Sequence, residues 1–220
     1  MDRAETDRDE TDRAVTDSAE MGRAERSEQN AGRERPLPNP GWGPLSALPG
    51  NPLMWVLILS EMLVFAAFFG MFAWLRAGER EVFDASQQLL DPVAGGLNTL
   101  VLLTSGLFAA LACQAIAAGE VRRCRQWLGG AFALGVVFCV VKVVEYADKL
   151  GQGLMPETNT FFTFYYLLTG FHFAHVLFGL GLIALVAWKV SHDNVETAAA
   201  FWHMVDLIWI LLYPIIYLLR

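Results

Sequence analysis

The sequence predicts an all-α, polytopic membrane bundle of five transmembrane helices behind a disordered N-terminal tail. Three observations carry this. Five apolar runs lie at about 53–75, 93–118, 127–147, 161–190 and 198–219, and each is long enough to cross about 30 Å of hydrocarbon as a helix. Charge is segregated: residues 1–52 hold 7 of the 16 Lys and Arg and 11 of the 23 Asp and Glu, although the chain has 220 residues. The remainder, within a chain that is 55% hydrophobic, has too little polar surface to cover itself in water. A soluble globular domain is excluded, and no basic patch exists that would bind nucleic acid.

Residues 1–35 repeat a Thr/Asp/Arg/Glu vocabulary (TDRDE, TDRAVTD, GRAERSE) with almost no large apolar side chain. Such a segment buries too little surface to offset the entropy of ordering. A linker rich in Pro and Gly follows, from Pro36 to Pro52, so the chain divides into a tail and linker over 1–52 and a membrane domain over 53–220. The N-terminus lacks the basic flank and short apolar core of a signal peptide. Within the membrane, backbone polar groups must be paired inside each segment, so the five runs are read as helices. Pro214 falls inside the last run and is expected to bend its final turns. The three cysteines, an odd number in or between apolar runs, argue against a disulfide framework.

Lys and Arg in the short loops set the orientation. Arg33, Arg35, Arg122, Arg123, Arg125 and Lys189 lie on one side, and Arg76, Arg80, Lys149 and Arg220 on the other. The bias places the N-terminus in the cytoplasm and the C-terminus outside.

Ionisable residues inside the bilayer are costly, and each is a candidate functional or partner residue. Glu61 sits at a depth of about 12 Å from the cytoplasmic face, His172 and His175 at about 9–14 Å, and His203 and Asp206 at about 7–12 Å. Three helices thus bring five polar residues to one layer of the inner leaflet. His172 and His175 are three apart and share a helix face, as do His203 and Asp206. The layer admits three readings: a hydrogen-bonded group that fixes helix packing, a metal or haem site, or a proton-handling or partner-coupling cluster. Lys142 and Glu145 form a second pair at the outer end of the third run. They are read as a local ion pair from which Lys142 snorkels to the interface, or as a partner-docking or proton-related pair. The aromatic cluster Phe161, Phe162, Phe164, Tyr165 and Tyr166 is read as an interfacial belt. Gly170, Gly179 and Gly181 permit close helix approach or lipid contact.

The segments SEMLVFAAFFGMF, LNTLVLLTSG, KVVEYADK, FYYLLTGFHFAHVLFG and FWHMVDLIWILLYPIIYLL resemble subunit III of the haem-copper oxidases, in that family's order and across essentially all of 53–220. The resemblance implies a five-helix form that matches the last five of the family's seven helices and lacks the two-helix arm of its V-shaped cleft. It places Ser60 and Glu61 at the family's Ser-Glu motif, whose carboxyl carbodiimides modify. Asn98 falls in the LNTL motif, and Glu145 and Tyr146 match the Glu-Tyr pair. Gly170, His172 and His175 match the Gly-Phe-His-x-x-His block, and Trp202, His203, Asp206 and Trp209 the final block. It also implies no metal on this chain and no catalysis by it alone. Bound phospholipid is expected, with a partner subunit carrying haem and copper, or haem and non-haem iron, in a bacterial-type plasma membrane.

Within the family the chain resembles the NorE-type accessory proteins of nitric oxide reductase. Lys142 stands where oxidase subunits usually carry Gln, and WHMVDL and Tyr213-Pro214 point the same way. The alternatives are an authentic subunit III of an aerobic cytochrome c oxidase and an independent haem- or metal-binding membrane redox protein.

Overall fold

A computed structural model describes residues 52–219, and the described residues are helical with short connections and no strand. The elements are α1 (Pro52–Gly78), α2 (Arg80–Gln87), α3 (Pro92–Ala117), α4 (Val121–Gly151), α5 (Thr160–Trp188) and α6 (His192–Tyr213), the last running into a π-helical turn, Pro214–Leu218. Five of these helices are long and apolar enough to cross a membrane. The tail expected over 1–52 lies outside the described residues except for Pro52, which opens α1.

Local chemistry sets the ends. Asp91 caps α3, its Oδ1 accepting from the backbone N–H of Val93 at 2.9 Å and of Ala94 at 3.1 Å, with Pro92 in the first turn. Asn159 Oδ1 caps α5 through Phe162 N–H, and Ser191 Oγ caps α6 through Asn194 N–H. Gly119 (φ 78°) and Gly153 (φ 79°) follow α3 and α4 in the left-handed region that turns the chain back.

The third helix is longer than its apolar run. Arg122, Arg123 and Arg125 belong to the first turns of α4 rather than to a loop, and Asp148 and Lys149 to its last turns. A helix carries charge without penalty where it leaves the hydrocarbon, so apolarity alone underestimates its length. The short amphipathic α2 is absent from the sequence reading. It buries Phe83 against Phe72 and Phe161 and turns its polar face outward.

Helices α3, α4, α5 and α6 close a ring, and α1 leans on its outside against α5 and α6. Burial follows this arrangement: 56% of the apolar window of α6 is buried, against 17% for α1. The ring closes around Trp202. A Cβ on Gly135 or Gly179 would come within 2.8 Å of its ring atoms, so both positions must be glycine for α4, α5 and α6 to meet. Trp202 Nε1 donates to Ser105 Oγ at 3.1 Å, and Ser105 Oγ donates to the Ala131 carbonyl at 2.7 Å, which ties α6 to α3 and α3 to α4. Gly170 and Gly181, in contrast, face open space.

Phe161, Phe162 and Tyr165 are fully buried, not an interfacial belt. Their stretch packs against α1, α2 and α4, whereas Trp74 and Trp188, each near the C-terminal end of its helix, are exposed.

Candidate functional site

The polar residues of the membrane segments separate into distinct groups. The most complete is built on Lys142 and Glu145, one turn apart on α4. Lys142 is 1% exposed. It does not snorkel to the surface, because Tyr165 of α5 and Tyr217 of the π-helical turn close over it. Lys142 Nζ lies 3.2 Å from Glu145 Oε2 and donates to Tyr217 Oη at 2.9 Å and to Tyr165 Oη at 3.4 Å. Both hydroxyls donate onward to Glu145 Oε1, at 2.6 Å from Tyr165 and 2.5 Å from Tyr217. The rings of Tyr146, Tyr165, Trp209 and Tyr217 surround the ammonium at 4.9–5.6 Å from their centroids. Neighbouring Tyr146 donates to Thr169 at 2.7 Å.

The tyrosines of this clasp were not legible as partners. Tyr165 stands in an aromatic cluster and Tyr217 beyond a proline. The π-helical turn resets the register after Pro214, the expected bend taking this form. It leaves the carbonyls of Ile215 and Ile216 free to accept from Gln87 Nε2 of α2, at 3.2 and 2.9 Å. Gln87, a further missed residue, is buried there.

A second group joins α1 to α5. Glu61 Oε2 lies 3.1 Å from His175 Nε2, and His175 Nδ1 lies 2.8 Å from the Phe171 carbonyl. A carbonyl only accepts, so Nδ1 carries a proton and a single further proton is shared between Nε2 and the carboxyl. The pair opens to the bundle surface through a cavity of about 210 Å³ lined by Leu57, Glu61, Ala174, His175, Phe178 and Phe201. Ser60, beside it, is exposed and donates to its own helix at Leu57.

His203 and Asp206 form a third group on α6, facing α3. Their closest approach, Nδ1 to Oδ2, is 4.0 Å, too long for a hydrogen bond. The carboxyl fills the notch left by Gly106, where a Cβ would collide with it. Asp206 Oδ1 is buried without a partner.

The single five-residue layer expected from depth is therefore not one cluster. Among the described residues no hydrogen bond or ion pair joins Glu61 and His175 to His203 and Asp206, and no three His, Cys, Asp or Glu residues gather closely enough to share a metal ion. Common depth fixes position along the axis but not around it. His172 joins neither group. It is fully buried, both ring nitrogens lack partners, and it packs tilted against Trp209 at 5.0 Å with Phe138 and Phe65 edge-on. Asn98 is buried and donates to the Phe138 carbonyl at 3.3 Å, and Trp209 Nε1 donates to Thr99 at 3.0 Å.

At the helix ends near Arg76, a cleft of about 360 Å³ combines apolar walls (Phe69, Phe72, Ile215, Leu219) with Arg76, Arg80 and Asp84. Arg76 and Asp84 pair at 3.2 Å.

All five long helices, and every group just described, lie within residues 51–220, which match the family model for cytochrome c oxidase subunit III. The chain belongs to this family. It is 35% identical over 173 residues to cytochrome c oxidase subunit 3 of Thermostichus vulcanus, covering 74% of this chain and 84% of that protein. To cytochrome c oxidase subunit 3 of Synechocystis it is 36% identical over 156 residues, covering 67% and 62%. Cytochrome bo(3) ubiquinol oxidase subunit 3 of Buchnera aphidicola is 25% identical over 179 residues, covering 75% and 84%. This subunit III family member is accordingly a multi-pass membrane protein. The proteins it is similar to here are named for oxidases, so the family match supports the oxidase alternative at least as well as the NorE-type reading.

Proposed function

We propose that this chain is a non-catalytic subunit III of a respiratory haem-copper oxidase, which stabilises the haem-bearing catalytic subunit in the plane of the membrane. The observation that carries the reading is the family match along the whole helical body, 51–220, together with relatives named as oxidase subunits. In this role the clasp and the Trp202 packing give a rigid body, and the haem and copper belong to the partner. The Arg76 cleft is suited to a phospholipid, with an arginine for the phosphate and apolar walls for the acyl chains. The Lys and Arg bias supports a plasma-membrane orientation with the N-terminus cytoplasmic and the C-terminus outside.

A second reading, association with a nitric oxide reductase that carries haem and non-haem iron, is favoured by the lysine at Lys142, with WHMVDL and Tyr213-Pro214 pointing the same way. One experiment separates the two. The chain is isolated from native membranes in mild detergent, and the eluate is examined by visible spectroscopy, metal analysis and mass spectrometry. A haem- and copper-bearing subunit supports the oxidase role. A haem and non-haem-iron subunit supports the reductase role. Stoichiometric haem on this chain alone overturns both.

A further inference from the structure

The chain has five tyrosines, and all of them stand in or against the Lys142 clasp. They are of two kinds. Tyr146, Tyr166 and Tyr213 form a half-buried rim. Their hydroxyls donate to neutral oxygens: Thr169 Oγ1 at 2.7 Å, the Leu154 carbonyl at 2.8 Å and the Pro92 carbonyl at 2.9 Å. Tyr165 and Tyr217 are buried, and both donate to a carboxylate oxygen, Glu145 Oε1. The rim touches this inner pair. Ring centroids lie 4.9 Å apart for Tyr166 and Tyr165, 6.0 Å for Tyr146 and Tyr165, and 5.5 Å for Tyr213 and Tyr217.

The difference in acceptor bears on one-electron chemistry. A phenol that loses an electron becomes a strong acid, and the loss is easiest where a base already holds the hydroxyl proton. A carbonyl or a hydroxyl does not take that proton. A carboxylate at 2.6 Å does, and the distance is within reach of direct proton transfer. The inner tyrosines, although the least exposed, are therefore the ones that give up an electron most readily. Lys142 divides the two. It donates to Tyr217 at 2.9 Å but to Tyr165 only at 3.4 Å, and a cation bonded to the phenol oxygen resists withdrawal of an electron. Tyr165 also has two rim rings against it, Tyr146 and Tyr166, where Tyr217 has Tyr213.

We infer that Tyr165 and Glu145 form a site of proton-coupled oxidation, which quenches an oxidising radical that meets the tyrosine rim. The oxidant, of the peroxyl-radical class, takes one electron through Tyr166 or Tyr146 and becomes a hydroperoxide with a proton from water. Tyr165 loses that electron, and its hydroxyl proton moves to Glu145 Oε1. The O–H bond of the phenol breaks and the O–H bond of the carboxylic acid forms. A neutral tyrosyl radical and a neutral acid remain beside the Lys142 ammonium, which the surrounding aromatic faces hold. An electron that returns to Tyr165 brings the proton back with it. The site is built from this chain's own side chains and does not depend on the proposed role as an oxidase subunit.

The test uses the purified full chain in lipid nanodiscs. A flash-generated ruthenium polypyridyl oxidant withdraws one electron, and the sample is frozen for electron paramagnetic resonance. The wild type is expected to give a tyrosyl signal, which Tyr165→Phe lowers at least fivefold and Tyr213→Phe leaves unchanged. Glu145→Gln keeps a carbonyl that accepts the hydrogen bond but takes no proton, and is expected to lower the signal at least fivefold. After equilibration in heavy water, oxidation of the wild type should slow at least twofold. A wild type without a tyrosyl signal, a signal that Tyr165→Phe leaves in place, or equal rates in light and heavy water overturns the site. Equal yields from Glu145→Gln and the wild type refute Glu145 as the proton acceptor. Thermal unfolding of each variant separates lost oxidation from lost folding, and where a variant fails to fold, the isotope comparison on the wild type decides.

Discussion

The two polar regions of this bundle are built on opposite terms. Around Lys142 and Glu145 every donor and acceptor has a partner within the chain, drawn from α4, α5 and the terminal turn. Around His172, His203 and Asp206 polar atoms stay unfilled. A saturated polar group in a low-dielectric interior holds its own elements in register. An unsaturated one is tolerated as a packing element where apolar and aromatic neighbours enclose it, as they do His172. The difference separates polar residues that tie helices together from polar residues that packing alone holds.

The largest effect is expected where the saturated side is broken. Lys142→Met removes the cation and leaves Glu145, partly buried, with only its tyrosine donors. It should destabilise the isolated protein by about 3–5 kcal/mol, read as a fall in thermal stability in detergent. Adding Glu145→Leu should recover most of that loss, since an apolar pair replaces an ion pair at little net cost. A single substitution without effect would mean the clasp does not bear on stability. Next in size is Tyr217→Phe, which deletes one donor to Glu145 and one acceptor for Lys142. A hydrogen bond to a charged group contributes about 1.5–3 kcal/mol, and the loss should appear as early release of the C-terminal turn in hydrogen exchange.

The opposite sign is expected on the unsaturated side. His172→Phe keeps an aromatic ring against Trp209 and Phe138 and removes two buried nitrogens that bond to nothing. Replacing an unsatisfied buried polar group by an apolar one of similar shape should stabilise the chain by about 1 kcal/mol, checked by the same melting experiment. A loss of stability would place an ordered water or an unseen partner on the ring.

How far the sequence led is itself divided along these lines. The five membrane helices were legible because their signal is local: a run of some twenty apolar residues admits one backbone solution. Glu61, His172, His175, Lys142 and Glu145 stood out because charge and imidazole are conspicuous in such runs. Their partners did not. Tyr165 pairs with Glu145 across 20 residues and Tyr217 across 72, and a tyrosine in an aromatic cluster carries no sign of which helix its hydroxyl will meet. Depth arithmetic gave the height of His203 and His175 but not their azimuth, so groups on different faces merged into one. The π-helical turn after Pro214 changes azimuth by its own geometry, and Gln87, which satisfies the carbonyls it frees, lies in a helix too short for periodicity to reveal.

The smallest effect, and the finest test of the comparison, is at Glu61, which stands between the two regimes: paired with His175, yet open to the surface through its cavity. Because His175 Nδ1 gives its proton to the Phe171 carbonyl, Nε2 and the carboxyl share one proton. Glu61→Gln supplies that proton from its amide and keeps the bond to a neutral imidazole, so stability should change by less than about 0.5 kcal/mol. Glu61→Ala deletes the partner and should lose about 1 kcal/mol. That ordering, measured by melting and by recovery of the partner subunit, marks a packing role. If Glu61→Gln instead loses the partner as fully as Glu61→Ala while both melt like the wild type, the shared proton is needed for its charge, and Glu61 acts on the partner and not on the packing of this chain.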